Sequence, residues 1–139
     1  MTQRHPSLEH ALELLARIRA AAEAQSLALG ACVVDSAGHV IASQRMDGAA
    51  LGALRLAVGK AYTAALWGMR TGDFAESTQP GGADWGFTTT DERIVVYAGG
   101  LPLYVDGELV GGAGASGGTP EQDEDCVREA ALSIGFSLG

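Results

Sequence analysis

The chain predicts an α+β domain built on an antiparallel sheet, and three observations predict it. Apolar residues recur at helical spacing in three separate stretches. Short apolar runs between them meet at compact turns, so hairpins dominate the strand connections. The resulting order is α-β-β-α-loop-β-β-β-α, with strands grouped rather than alternating one by one with helices. At 139 residues the chain is one domain, residues 1–139, able to bury a core without metals or disulfides.

Ser7 caps a first helix that is expected to run to about Leu29, with Gly30 as its stop. Leu8, Leu12, Leu15, Ile18 and Ala22 form its apolar stripe, and Glu13 pairs with Arg17 one turn on. The stretch ACVVDSAGHVIASQR reads as two strands about a Ser36–Gly38 turn. A central helix follows in ALGALRLAVGKAYTAALWGMR. It carries small residues on one stripe (Leu54, Val58, Ala61, Ala65, Gly68) and Leu56, Lys60, Thr63 and Trp67 on another. Few of its positions suit water, so it is expected to be covered on more than one side by a partner or a ligand pocket.

The polar segment TGDFAESTQPGGADWGFTTTDE is long for a connection and suits a binding loop. Three strands are expected next, RIVVYA, LPLYV and ELVGGAGAS, the last two joined by an Asp106-Gly107 turn. The final helix opens on Thr119 as N-cap, Pro120 at the first position and Gln122 closing a capping box. Val127, Ala130, Ala131, Ile134 and Leu138 supply its buried stripe.

Charge narrows the function. The net charge is −8 and Lys60 is the sole lysine, so a phosphate backbone would be repelled; no nucleic-acid partner is expected. No stretch approaches the roughly 18 apolar residues of a membrane span, and the N-terminal stretch lacks a signal-peptide pattern. Cys32 and Cys126 read as small core residues of a reduced, cytoplasmic protein.

Gly112, Gly114 and Gly117 reproduce the spacing G-x-G-x-x-G. A dinucleotide site needs a second parallel strand with an acidic residue about 20 residues onward, and the chain ends too soon for one. Glu121, Asp123, Glu124 and Asp125 would also repel a pyrophosphate at this helix start. The glycines are better suited to close approach of a backbone or a ligand. The Ser116-Gly117-Gly118 turn could hold a small carboxylate on its N–H groups; alternatively the glycines only shape the turn.

Several motifs together resemble one family. VVDSAGHVIASQRMDGA, KAYTAALWG with TGDF, STQPGG, and GGLPLYVDGELVGGAGASGGTPEQDED occur in its order from about Gly30 to Ala131. They resemble the GlcG/HbpS-like family (haem-degrading or DUF336 domain), which includes the C-terminal domain of PduO-type proteins. The resemblance implies a profilin-like fold with five antiparallel strands flanked by helices, assembled into homo-oligomers. It also implies a small-molecule partner, with haem or a corrinoid as the cofactor candidates. The chain departs from the commoner family pattern at the alanines of GAGAS and at Trp85 in GADWG, changes that would reshape a pocket.

The candidate site residues follow. Lys60, among apolar neighbours, could bind an anionic ligand or act as a base once desolvation lowered its pKa; the alternative is an ion pair with an acidic residue. Arg45 could fork onto a carboxylate or pair with Asp47. Tyr62 and Tyr104 could donate to a ligand oxygen or to a backbone carbonyl. Trp85, Gly100, Pro102, Ser116 and Gly117 complete the expected ligand-binding set, and Asp123 is an acid/base candidate or a helix-dipole partner. A haem would need a flat apolar slot, cations for its propionates and an axial ligand, for which His10 and His39 are the leading candidates. No zinc-ligand spacing or serine-hydrolase motif occurs, so no metal site is assigned.

Two functions remain. One is a binding protein whose pocket lies between the central helix, the STQPGGADWG loop and the GGLPL corner. The other is a cofactor-free lyase or isomerase of a small aromatic or oxo-acid carboxylate, with Lys60 or Arg45 as anchor and Asp123 or a tyrosine moving protons.

Overall fold

The computed structural model describes residues 5–139. Its elements are α1 (Leu8–Ala24), β1 (Gly30–Asp35), β2 (Val40–Arg45), α2 (Ala53–Trp67), β3 (Gly100–Val105), β4 (Glu108–Ser116) and α3 (Pro120–Ser133), with 3-10 turns at Thr71–Phe74 and Phe87–Thr89. The sheet is antiparallel, in the order β2-β1-β4-β3.

Among the described residues the sheet has four strands, not five. The missing one is RIVVYA, and its backbone partners explain why. The Val95 N–H donates to Thr63 Oγ1 of α2 at 3.0 Å, and the Tyr97 carbonyl accepts from Thr71 Oγ1 at 2.6 Å. Hydroxyls on and just after α2 thus take the bonds a neighbouring strand would have made. The outer edge of β3 meets the chain's own tail instead, through a bridge between Tyr104 and Ser137.

The first helix starts as its cap predicts, with the His10 N–H donating to Ser7 Oγ at 3.0 Å. It ends at Ala24, short of Leu29, because Ser26 turns to a left-handed φ of 57° and the Leu27 N–H returns to the Ala22 carbonyl. That reversal lets Leu29 enter the core. The buried stripe is Ala11, Leu14, Leu15, Ile18 and Ala22; Leu8 and Leu12, expected on it, lie in solvent. The capping box of α3 forms as read, between Thr119 and Gln122.

Strand alternation divides the interior in two. Ala31 and Val33 of β1, Leu101 and Leu103 of β3, and Ala113 and Ala115 of β4 join α1 and α3 in the larger core. Cys32 and Val34 face the other way, against Ala57, Ala61 and Ala65 of α2. On that second face β3 and β4 present Gly100, Gly112 and Gly114. A Cβ at those positions would lie 2.4 Å from the Lys60 carbonyl, 2.5 Å from that of Ala61 and 2.5 Å from that of Ala57. The glycines of the G-x-G spacing therefore let α2 sit directly on sheet backbone.

Candidate functional site

The close seating of α2 decides where Lys60 points. Its side chain passes Gly99 and Gly114 and ends with Nζ 3.2 Å from Asp123 Oδ2 and 3.0 Å from the Ala115 carbonyl. The two side chains are 3% and 2% exposed. Asp123 Oδ1 in turn accepts the Gly118 N–H at 2.8 Å. Burial pushes the Lys60 pKa down, and the Asp123 charge opposes that shift. Ammonium, carboxylate, strand carbonyl and turn N–H thus satisfy one another across α2, the end of β4 and the start of α3.

This corrects the expected pocket. The GGLPL corner has no room for a ligand against α2, since even a Cβ would lie 2.7 Å from Lys60 Nζ at Gly99 and 2.4 Å from the Lys60 carbonyl at Gly100. Gly100, Pro102 and Ser116 are buried. Gly117 adopts a φ of 138°, and a Cβ there would lie 2.5 Å from the Ala28 carbonyl oxygen. Trp85 is 66% exposed on its loop. The loop has its own shallow hollow between Asp73 and Ala83, apart from the lysine.

Tyr62 alone of the expected ligand-binding residues lines the most apolar of the larger clefts. This hollow, of about 520 Å³, lies between the β1–β2 turn, α2 and the segment 91–93. Gly38, His39 and Val40 form one wall, and Arg55, Val58, Gly59 and Tyr62 of α2 form the other. The Tyr62 hydroxyl donates to Asp91 Oδ2. Arg93 donates to both Asp91 oxygens at 3.1 Å and lies 4.2 Å over the Tyr62 ring. The Arg93 hydrogen bonds hold the Asp91 carboxyl well below the usual range, with help from Tyr62, whose own pKa is raised first by that hydrogen bond. His39 stands at the mouth with its side chain 82% exposed, 3.6 Å from Asp35 Oδ2.

Arg45 opens on a different hollow, of about 540 Å³, with Arg19, Glu23 and Asp47 around it. It makes no ion pair with Asp47 among the described residues. His10 packs edge-on to Phe136 at 6.5 Å, away from the Tyr62 cleft. Tyr104 donates to the Gly68 carbonyl, the backbone partner it was expected to find as the alternative to a ligand. Among the described residues no group of three or more His, Cys, Asp or Glu is placed to hold a metal, and no helix is long and apolar enough to cross a membrane.

Sequence reasoning missed Arg55, Gly59, Asp91 and Arg93. The signal for the first two was present: positions 55, 58, 59 and 62 share one helical face. Arg93 was hidden because RIVVYA read as a strand, and Asp91 stands at the end of the long polar loop, where nothing local set it apart.

Fold and cleft together define a small α+β domain with a ligand-sized hollow between its hairpin and its central helix. Residues 7–132 match the HbpS-like family, described as haem degrading protein HbpS-like, and the chain belongs to that family. It is 38% identical over 105 residues to an uncharacterised 15.0 kDa protein of the dhaT-dhaS intergenic region of Citrobacter freundii, covering 70% of this chain and 74% of that one. It is 37% identical over 103 residues to the corrinoid adenosyltransferase PduO of Salmonella typhimurium, covering 73% of this chain but 31% of PduO. A crystal structure of a PduOC:haem complex superposes with a TM-score of 0.88 at 31% identity, covering 91% of this chain and 93% of that one.

Proposed function

We propose that this chain is a small-ligand-binding protein that takes haem, or a planar anionic molecule like it, in the Tyr62 cleft. The observation that carries this reading is the similarity, over nearly the whole chain, to a domain crystallised with haem. The cleft's own residues fit such a group. Val40 and Val58 give apolar surface, His39 would offer its exposed imidazole to the iron, and Arg55 and Arg93 bring cations to the lining. A bound haem would supply an iron centre; the chain's part is to hold the ring, orient it and shield one face.

In this reading Lys60, Asp123, Gly100, Pro102, Ser116 and Gly117 act at one remove. They fix α2 against the sheet and so fix the wall on which Tyr62 stands. The free, buried thiols of Cys32 and Cys126 suit a reducing compartment such as the cytoplasm. Leu51, Leu56, Trp67 and Tyr97, exposed on and beside α2, suit a homo-oligomer.

The test is optical titration of the apo-protein with haemin, with cobalamin in parallel. A saturable Soret shift at one equivalent per chain is expected, with the band altered in His39→Ala and unaltered in His10→Ala. Absence of saturation with haemin overturns the haem reading, and saturation with cobalamin alone would make the ligand a corrinoid.

A further inference from the structure

We propose that Arg55 is the residue that selects for carboxylate groups on the cleft's ligand; this rests on the cleft being the binding site. In a chain of net charge −8, basic side chains find acidic partners readily. Arg17, Arg19, Arg70, Arg93 and Arg128 each meet a carboxylate, at 3.4, 2.9, 2.9, 3.1 and 2.7 Å. Arg55 meets none among the described residues, yet it lines the cleft.

The cleft's other guanidinium is already engaged. Arg93 grips Asp91 with two hydrogen bonds and stacks on Tyr62, and Glu92 adds a further acidic influence on it. Its planar fork is therefore committed to the wall, not to a ligand. Glu92 lines the same cleft, so the lining sets two guanidinium groups against one carboxylate, and no carboxylate meets Arg55 at ion-pair distance among the described residues. Arg45 also meets no carboxylate among the described residues, but in its hollow Arg19 and Arg45 face two carboxylates, Glu23 and Asp47, where the Tyr62 cleft holds one against two guanidinium groups.

Geometry adds a direction. Arg55 lies one turn before Val58 and Gly59 and two turns before Tyr62 on the same helical face. A carboxylate held at Arg55 would leave an apolar ring system lying along Val58 toward the Tyr62 ring. The ligand class this selects is a flat apolar body carrying carboxylates along one edge. A neutral ring of the same shape would lose the charged contact and keep only the apolar one.

The test uses the full chain with protoporphyrin IX, which carries two carboxylates and no iron, and with its dimethyl ester, both followed by porphyrin fluorescence. Wild type is expected to bind the diacid at least ten-fold more tightly than the ester. R55M should lose that preference, R55K should keep part of it, and R17M, which changes the net charge equally, should keep all of it. Circular dichroism checks that each variant is folded. Equal binding of diacid and ester by wild type, an unchanged preference in R55M, or an equal loss in R17M overturns the role of Arg55. If haemin still gives a His39-dependent Soret shift in that case, the cleft reading stands and only this inference falls. If neither haemin nor either porphyrin saturates, the cleft reading falls and takes this inference with it.

Discussion

Lys60 Nζ lies 3.2 Å from Asp123 Oδ2, joining the middle of α2 to the first turn of α3 where water scarcely reaches either group. Removing one partner of a buried pair leaves the other charge uncompensated, typically at a cost of about 3–5 kcal/mol. Lys60→Met should therefore unfold at markedly lower urea concentration than wild type. The double variant Lys60→Met/Asp123→Asn should recover most of the loss, because the amide still accepts the Gly118 N–H and no lone charge remains. A single variant as stable as wild type would show that the pair contributes little to the fold.

Alkaline stability should depend on the thiols. Burial pushes Cys32 from 9.0 up to about 12 and Cys126 up to about 11. Between 9.0 and those values the unfolded chain releases thiol protons that the folded chain retains. Their contribution is therefore complete below 9.0 and falls as pH rises through that window, by on the order of 1 kcal/mol per pH unit per thiol. Lys60, whose charged form burial disfavours, works in the opposite direction. The informative measurement is thus the difference between wild type and Cys32→Ala in urea melts at about pH 8 and about pH 10.5. Wild type should lose more stability than the variant between the two.

The contact between α2 and the sheet leaves no space for a methyl group. At Gly114 a Cβ would lie 2.5 Å from the Ala57 carbonyl and 2.6 Å from the Ala61 nitrogen, both backbone atoms that cannot swing aside. Gly114→Ala should cost at least about 1–3 kcal/mol, as overpacking does. Gly52→Ala, where a Cβ meets nothing within 4 Å, should change stability by less than about 1 kcal/mol. Thermal melts of the two variants decide the matter.

Gly59 has a comparable role at the cleft. A Cβ there would meet Val95 Cγ2 at 2.4 Å and the Arg93 carbonyl at 2.8 Å. Gly59→Ala should push the 93–95 segment off α2 and displace Arg93 from its place above Tyr62. The expected result is a loss of about 1–3 kcal/mol in stability, together with weaker haemin binding and an unchanged far-ultraviolet spectrum. Unaltered haemin affinity would separate the cleft from that segment.

Much of this molecule was legible in the sequence. Ser7, Thr119, Pro120 and Gln122 set the helix starts because caps act through neighbouring backbone groups, and Asp106-Gly107 gives the hairpin turn read for it. What escaped depends on tertiary partners. RIVVYA has strand composition, but hydroxyls at Thr63 and Thr71 take its backbone bonds, and only the folded chain brings them near. For Lys60 the fold shows the ion-pair alternative, with Asp123. Its partner was hidden because 63 residues separate it from Asp123, and each acidic residue looks alike in a list of letters.

The sheet has an apolar compartment on each side, one under α2 and the other under α1 and α3, with side chains of alternate strand positions serving each. The two halves share strands but few side chains, so they resemble two rooms with one partition wall. Amide exchange in heavy water would then record whether they open together or in turn. The ammonium that reaches around the end of that wall ties the departure of α2 to that of α3, and with it both halves should exchange their slowest protons as a single event.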